Sequence, residues 1–154
     1  MDAGDKEILA DFKRASDKTI ELLQAVPAKL LKKQADGEDE NLAKLFHHIA
    51  ATINGWMMKC MEDGGPPPPA FKSDKATLAK HLKAAQARVL KFFRAKAGKT
   101  MSAVYRPKRG GKTYRFVGRG RVLYLTQHEV HHRGKIVLAL RQWGFTKIPF
   151  MPYW

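Results

Sequence analysis

Two histidines separated by one helical turn are the residues whose spacing most directly suggests chemistry. His128 and His132 are four positions apart, so in a helix both side chains emerge on the same face. Two imidazoles placed in this way reach one metal ion, with metal–nitrogen distances near about 2.0–2.1 Å for zinc. An H-x-x-x-H pair is common by itself, so the hypothesis of a metal site requires a third ligand.

The third ligand must come from earlier in the chain. After Glu129 the sequence contains no Asp, Glu or Cys, and it has no histidine outside the same short segment. An upstream segment with helical period contains His47 and His48. His48 borders the apolar stripe of that segment, whereas His47 lies on a more exposed row. We therefore expect His48, together with His128 and His132, to bind one divalent ion.

The string from His128 to His132 also satisfies H-E-x-x-H, the signature of zincin peptidases. In a zincin the glutamate activates a zinc-bound water, and a third ligand lies downstream. The sequence offers no such downstream ligand and no obvious strand to hold an extended peptide, so it disfavours a peptidase. Glu129 is the sole acid near the predicted metal. It is a candidate catalytic base, a hydrogen-bond partner of a ligand, or a salt-bridge partner of Arg133.

The other histidines and the single cysteine fit simpler roles. His81 lies beside apolar residues of a helical segment and is expected at a partly exposed boundary. His131 faces away from the paired histidines. Cys60 follows His48 by twelve positions, which is roughly 18 Å along a helix axis. It is too far away for the same site, and we expect it to be a small core residue.

Four segments with helical period must position these side chains. In chain order they run from the N-terminus to Pro27, from about Asp39 to the Gly64–Pro69 run, from the N-cap Ser73 to about Gly98, and from about Val122 to Trp143. Amphipathic helices joined by connections of modest length form an antiparallel bundle. We expect a single all-α domain, a four-helix bundle over residues 1–154. Its aromatic C-terminal tail, 145–154, is expected to pack across one end.

Positive charge is concentrated in the second part of the chain. The net charge is +15, with 9 Lys and Arg against 12 Asp and Glu in residues 1–63, and 20 against 2 afterwards. A basic, glycine-rich loop is expected over about residues 104–121, with a short strand allowed at 113–117. Its cations, which lie among aromatic residues, suit contact with nucleic acid or another anion. They are Lys108, Arg109, Arg115, Arg119 and Arg121. A solvated loop near the entrance for an anionic substrate is the alternative.

The sequence gives simple expectations about compartment. It shows no signal peptide, and no window approaches the roughly 18 unbroken apolar residues that a membrane span needs. Cys60, the single cysteine, has no partner for an internal disulfide, which is typical of the reducing cytosol. We expect a cytoplasmic protein without a membrane partner.

Together, these residues resemble the DinB-like (DNA-damage-inducible, YfiT-related) family of metal-binding four-helix bundles. One half of the family pattern is a histidine in the second helix followed by an aromatic residue, here His48 and Trp56. The other half is H-x-x-x-H-R-G-Q, then an aliphatic helix and a late proline. Here it reads as residues 128–135, then residues 136–138 and Pro149. The resemblance covers most of the chain and is most specific in the fourth helix.

The resemblance implies a three-histidine site for zinc or nickel with open coordination positions. It implies metal-dependent hydrolysis or thiol-dependent transfer on a small molecule, and a homodimer as the assembly. Lys135 stands where the family usually has Gln, and a Lys side chain only donates hydrogen bonds whereas Gln also accepts them. The basic second half is not explained by the resemblance. A nucleic-acid-binding module, and a bundle with a purely structural metal, therefore remain as alternatives.

Overall fold

The computed structural model describes residues 1–34 and 40–149, and most of them are helical. The helices are α1 Ala3–Ala25, α2 Ala28–Leu31, α3 Leu42–Cys60, α4 Lys75–Arg94, α5 Lys99–Ser102 and α6 Gly118–Gln142, with a 3₁₀ turn at Ala95–Gly98. The strands are β1 Val104–Tyr105, β2 Lys108–Arg109, β3 Lys112–Thr113 and β4 Phe116–Val117. The four long helices, α1, α3, α4 and α6, are the four that the sequence predicts.

The four long helices form a bundle in which each packs against two others. α1 lies beside α4 and α6, and α3 lies beside the same two helices. The apolar faces meet in one core, whose largest fully buried side chains include Phe12, Phe46, Phe93, Ile49 and Leu78. The prediction of an all-α four-helix bundle is confirmed for the described residues.

Three of the long helices begin with a side chain that accepts a hydrogen bond from a backbone N–H three residues later. These N-cap residues are Asp2 (2.7 Å), Asn41 (3.0 Å) and Asp74 (2.8 Å). The sequence pattern predicts Ser73 as the N-cap of α4, which is wrong by one residue. The carboxylate of Asp74 is the stronger acceptor, and it is also favoured at the positive end of a helix.

Helix α6 begins four residues earlier than the apolar pattern predicts, at Gly118. The Gly118 N–H donates to the carbonyl of Ala103 at 3.0 Å. A Cβ at Gly118 would lie only 2.0 Å from the carbonyl oxygen of Thr100. The missing side chain therefore lets α6 begin directly against α5, and polar residues with no apolar periodicity extend the helix.

Residues 104–117 form a two-stranded antiparallel β-ribbon, although a basic loop is predicted over 104–121. Strand β1 pairs with β4, and β2 pairs with β3. Between the two ladders, the Tyr114 N–H donates to the Pro107 carbonyl at 3.0 Å. Gly110 and Gly111 form the turn with φ values of 55° and 74°, a conformation that favours glycine. The last part of the predicted loop, 118–121, is the first turn of α6.

Arg88 of α4 anchors the proline-rich connection between α3 and α4. Its Nε and Nη2 donate to the two carboxylate oxygens of Asp63, both at 2.6 Å. Its Nη1 donates to Asn54 Oδ1 at 2.8 Å and to the Pro66 carbonyl at 2.6 Å. The Asp63 and Arg88 side chains are only 5% and 10% exposed. This bidentate pair lies mostly away from water and fixes the path of the connection.

The C-terminal segment follows α6 after Gly144, which has a φ of 75°. Phe145 and Ile148 pack against the core, and residues 150–154 of the predicted tail lie outside the described residues. No helix in the described part of the chain is both long enough and apolar enough to cross a membrane. The interpretation of residues 1–154 as a single domain stays a prediction.

Candidate metal centre

Three histidines from two helices converge between α3 and α6. One ring nitrogen from each of His48, His128 and His132 lies within 4.8 Å of the other two. The Nε2 atoms of His48 and His128 are 3.3 Å apart. The ring of His132 lies 4.6 Å from that of His48 and 4.4 Å from that of His128, centroid to centroid. These are the three residues that the sequence predicts as ligands.

The packing of α3 against α6 explains this convergence. His128 and His132 lie one turn apart on α6, and His48 meets both of them from α3. Further along α3, the ring of Trp56 contacts that of Tyr124, which precedes His128 on α6. Later residues of α3 therefore contact earlier residues of α6, so the two helices are antiparallel. The apolar stripes of both helices therefore bring the histidines to the same height in the bundle.

The surroundings of the two α6 histidines favour their neutral form. Burial, with a smaller effect from the neighbouring His48, lowers the pKa of His128 to about 4. Burial also lowers the pKa of His132, to about 3, with His128 and His48 adding to the effect. Neutral imidazole is the form that binds a metal ion. These two rings can therefore bind a cation at neutral pH without first losing protons.

The nitrogen geometry also fits a metal ion. Two nitrogens held tetrahedrally at about 2.0–2.1 Å from one zinc ion lie roughly 3.3 Å apart, which is the spacing between His48 and His128. The Nδ1 atoms of His128 and His132 are buried, and neither has a hydrogen-bond partner in the described part of the chain. Thr52 Oγ1 lies 3.4 Å from His48 Nε2. A donor set of three imidazoles suits zinc or nickel.

A second pair of histidines lies beside this group without joining it. The ring of His47 packs edge-on against Phe71 at 5.3 Å and lies 6.3 Å from the ring of His81. His47 and His48 border a cavity of about 330 Å³. The other lining residues are Glu40, Lys44, Ala51 and Phe71. His48 and not His47 therefore belongs to the three-histidine group, while its role as a metal ligand stays a prediction.

Of two residues outside the group, His131 matches its simpler predicted role and Cys60 matches its role only in part. His131 is exposed on α6, on the side away from the core. Cys60 is half-buried instead of fully buried in the core. Burial raises the pKa of its thiol, while the nearby Arg121 acts to lower it. Cys60 is not part of the histidine group.

Glu129 contacts α1 and lies outside the histidine group. It is 1% exposed, and it accepts a hydrogen bond of 2.7 Å from the Ser16 hydroxyl. Burial raises its pKa to about 6, against the opposing effects of Ser16, Thr19 and Arg133. Its predicted catalytic role stays a prediction that this position does not support.

Arg133 completes the polar contact between α6 and α1. Its Nη1 donates to the Ala15 carbonyl at 2.6 Å and to Thr19 Oγ1 at 3.4 Å. Sequence reasoning missed the α1 side of this network. The available signal was that Ser16 and Thr19 are polar residues on the mostly apolar face of α1. The structure buries both almost fully.

Lys135 is half-buried, one turn after His131. Its positive charge contributes to lowering the pKa of His132, after the larger effects of burial and the neighbouring histidines. The Lys135 side chain carries a positive charge, whereas the Gln of the family pattern is neutral. Lys135 therefore adds positive potential at this end of the site.

The structure separates the predicted anion-contacting residues into two kinds. Lys108, Arg109 and Arg115 are exposed on the β-ribbon. Arg119 lies in the first turn of α6, and its guanidinium is 3.3 Å from Oδ1 of Asp5 in α1. Arg121, also on α6, is only 9% exposed. Arg119 is thus set apart from the ribbon cations by its pairing with Asp5, and Arg121 by its burial.

Arg121 is enclosed by aromatic rings. Its guanidinium carbon lies 3.9 Å from the ring centre of Trp56, 4.1 Å from that of Phe116 and 4.8 Å from that of Tyr124. We call these three rings the aromatic cage. They join α3, the β-ribbon and α6 through cation–π contacts. Burial lowers the pKa of Arg121, and its position indicates a stabilising contact.

Comparison with known proteins agrees with this architecture. The structure is similar to the crystal structure of a DinB-like protein from Bacillus cereus ATCC 10987, with a TM-score of 0.73 and 17% identity over 96% of this chain and 97% of that chain. At this identity the likeness shows the fold alone. No curated protein matches the chain significantly. The model of the DinB family matches residues 1–153. The chain therefore belongs to the DinB family.

Proposed function

We propose that His48, His128 and His132 bind one divalent metal ion, zinc or nickel, and that this centre acts on a small molecule. The observation that carries the proposal is the convergence of one nitrogen from each ring to within 4.8 Å. The depressed pKa values of His128 and His132 support it, because neutral imidazole is the ligating form. Sites with three protein ligands keep a position open for water or substrate.

The proposed reaction is metal-dependent hydrolysis or thiol-dependent transfer. A divalent ion held by three imidazoles would supply a Lewis acid that lowers the pKa of a bound water or thiol. The residues of this chain hold the ion and orient the bound group. Glu129 is not among the proposed reacting groups, because its carboxylate is hydrogen-bonded to Ser16 on α1.

The surroundings of His48 favour a small substrate with an apolar part. The cavity of about 330 Å³ beside His48 combines the opposite charges of Lys44 and Glu40 with the ring of Phe71. Phe71 is 42% exposed, which leaves an apolar surface free to contact a ligand. Clefts of this size take small molecules, with apolar walls for affinity and a few polar groups for orientation.

Metal analysis followed by a substrate screen tests the proposal. Elemental analysis of the purified protein should find about one zinc or nickel ion per chain. Hydrolysis and thiol-transfer substrates should then be turned over by the metal-loaded protein and not after chelation. His132→Ala should lose both metal and turnover. The matched control is His131→Ala, which removes an exposed neighbouring imidazole and should keep both.

A metal with a purely structural role is the competing outcome. In that case the protein would bind one ion through the same histidines, chelation would unfold it, and no substrate in the screen would be turned over. Retention of the fold after chelation, with loss of turnover, supports a functional centre.

We also propose that the chain forms a homodimer through the outer face of α6. Leu123, Val130 and Leu138 are 44%, 36% and 59% exposed, and their spacing places them on one side of the helix. Sedimentation should show a dimer for the wild type and a monomer for Leu138→Glu. Ala87→Glu, a matched change at an exposed position on α4, should remain dimeric. A monomeric wild type would remove this proposal.

A further inference from the structure

The β-ribbon, residues 104–117, carries the most strongly charged exposed segment of the described chain. Every residue from 108 to 115 is exposed, so neither face of this part of the ribbon is covered. The segment from 106 to 115 contains five cations and no acid. These cations are Arg106, Lys108, Arg109, Lys112 and Arg115. None of them forms an ion pair with a carboxylate of residues 1–34 or 40–149.

The register of the ribbon distributes this charge over both faces. Lys108 pairs with Thr113, and Arg109 pairs with Lys112. Because successive side chains of a strand point to opposite faces, Lys108 lies on one face and Arg109 with Lys112 on the other. The Gly110–Gly111 turn adds no side chain between them. The tip is therefore narrow and cationic on all sides.

We propose that this ribbon binds double-stranded DNA by entering a groove between the two phosphate backbones. The major groove of B-form DNA is about 12 Å wide and admits a two-stranded β-ribbon. Phosphates then border both faces of the inserted ribbon, so cations on each face find an anionic partner. The affinity would come from the phosphates and would be strongly salt-dependent, without requiring a particular base sequence.

The same features fit other polyanions less well. A flat anionic membrane would contact one face and leave the cations of the other unused. The tip also lacks the apolar side chains that insert into lipid. The major groove of A-form RNA is too narrow and deep for side chains to read. Single-stranded nucleic acid is bound by stacking on several aromatic rings, whereas Tyr114, 49% exposed, is the one large aromatic exposed on the described ribbon.

The base of the ribbon is held firmly against the bundle. The rings of Tyr105 and Phe116 are stacked across the strands with 5.9 Å between centroids. The Tyr105 hydroxyl donates to the Thr100 carbonyl at 3.3 Å, and Phe116 also contacts Arg121. An anchored ribbon loses little conformational freedom on binding, which favours affinity.

Fluorescence anisotropy with a labelled DNA duplex tests the proposal in the full-length protein. Contact of all five cations with phosphates predicts a log–log salt slope of about −4.5, or affinity roughly 500-fold weaker at 200 mM than at 50 mM salt. The double variant Arg109→Gln with Lys112→Gln should give a slope near about −2.7, or a roughly 40-fold change. Circular dichroism should confirm that both proteins are folded.

The matched control removes the same charge elsewhere. Lys80→Gln with Lys83→Gln changes two exposed residues on α4 and should keep the wild-type slope. An equal reduction of the salt slope in the two double variants would overturn the proposal, because net charge alone would then explain binding. Absence of DNA binding at 50 mM salt would also overturn it. If the protein bound vesicles of anionic lipid through the ribbon and did not bind DNA, the partner of the ribbon would be a membrane. The proposal that the ribbon enters a DNA groove would then be wrong.

Discussion

The Nε2 atoms of His48 and His128 lie 3.3 Å apart although the two residues are separated by 80 positions in the chain. Bringing two imidazole nitrogens this close inside a helical bundle removes them from water, which costs free energy unless they gain polar partners. His132 converges on the same point, with a pKa lowered to about 3 by burial and by its neighbours, and this grouping supports our proposal that all three rings share one cation.

Metal removal should lower stability without unfolding the protein. The apolar core of the four helices is continuous and does not depend on an ion to join its parts. We expect the chelated protein to keep its helical circular dichroism and a cooperative thermal transition. Added zinc at about 100 times its Kd should stabilise the fold by about 2.7 kcal/mol. A chelated protein without helical signal would contradict this prediction.

Glu129→Ala should destabilise the fold and leave metal binding nearly intact. The change removes a buried acceptor of the Ser16 hydroxyl and leaves the buried cation of Arg133 less compensated. We expect a loss of about 3 kcal/mol in the free energy of unfolding, measured with urea. If the variant instead kept its stability and lost turnover, Glu129 would be a reacting group after all.

Replacement of Arg121 tests the aromatic cage. Arg121→Ala removes a guanidinium that lies 3.9 Å from the Trp56 ring and 4.1 Å from the Phe116 ring. Desolvated cation–π contacts contribute about 2 kcal/mol, so urea unfolding should show a loss of that order. Because Arg121 is 9% exposed, the salt slope of DNA binding should not change. A reduced slope without loss of stability would place Arg121 in the anion-binding surface.

The buried pair of Asp63 and Arg88 predicts a pH-dependent contribution to stability. Hydrogen bonds from Arg88 lower the pKa of Asp63, although burial opposes them. A carboxyl whose pKa is lowered by folding stabilises the protein above its unfolded pKa of about 3.9. That contribution is lost as the pH falls through the folded pKa. Asp63→Asn should therefore cost about 3 kcal/mol at pH 7, and the difference from the wild type should shrink below about pH 4.

Urea unfolding at pH 7, 5 and 3 would measure this difference. The matched control is Glu21→Gln, which removes the acid of an exposed pair with Lys18 and should cost at most about 1 kcal/mol. A pH-independent difference for Asp63→Asn would show that the ion pair is not its source.

The sequence predicts the four long helices and the grouping of the three histidines well, because both depend on periodicity. Apolar residues repeat along α1, α3, α4 and α6, and the stripe of α3 already separates His48 from His47. The start of α6 could not be found in this way. Gly118 begins that helix through a close backbone approach to Thr100, which is a tertiary contact that no local pattern contains.

The orientation of Glu129 shows a second limit. Residues 128, 129 and 132 all border the apolar stripe of α6, so periodicity alone places them on one broad face. The structure divides that face, because His128 and His132 meet α3 whereas Glu129 meets Ser16 of α1. Which neighbour each side chain contacts depends on the order of helices around the bundle. The β-ribbon was similarly hidden, since its strands have two residues each.

Titration of the metal-free protein with zinc by isothermal calorimetry tests the central claim most directly. The wild type should bind one ion per chain. His132→Ala should bind at least about 100-fold more weakly, a larger loss than the roughly 10–100-fold typical of residues that only support a ligand. His131→Ala should match the wild type, because that ring is exposed outside the group. Equal zinc affinity for His132→Ala and the wild type would contradict the assignment of the three-histidine centre.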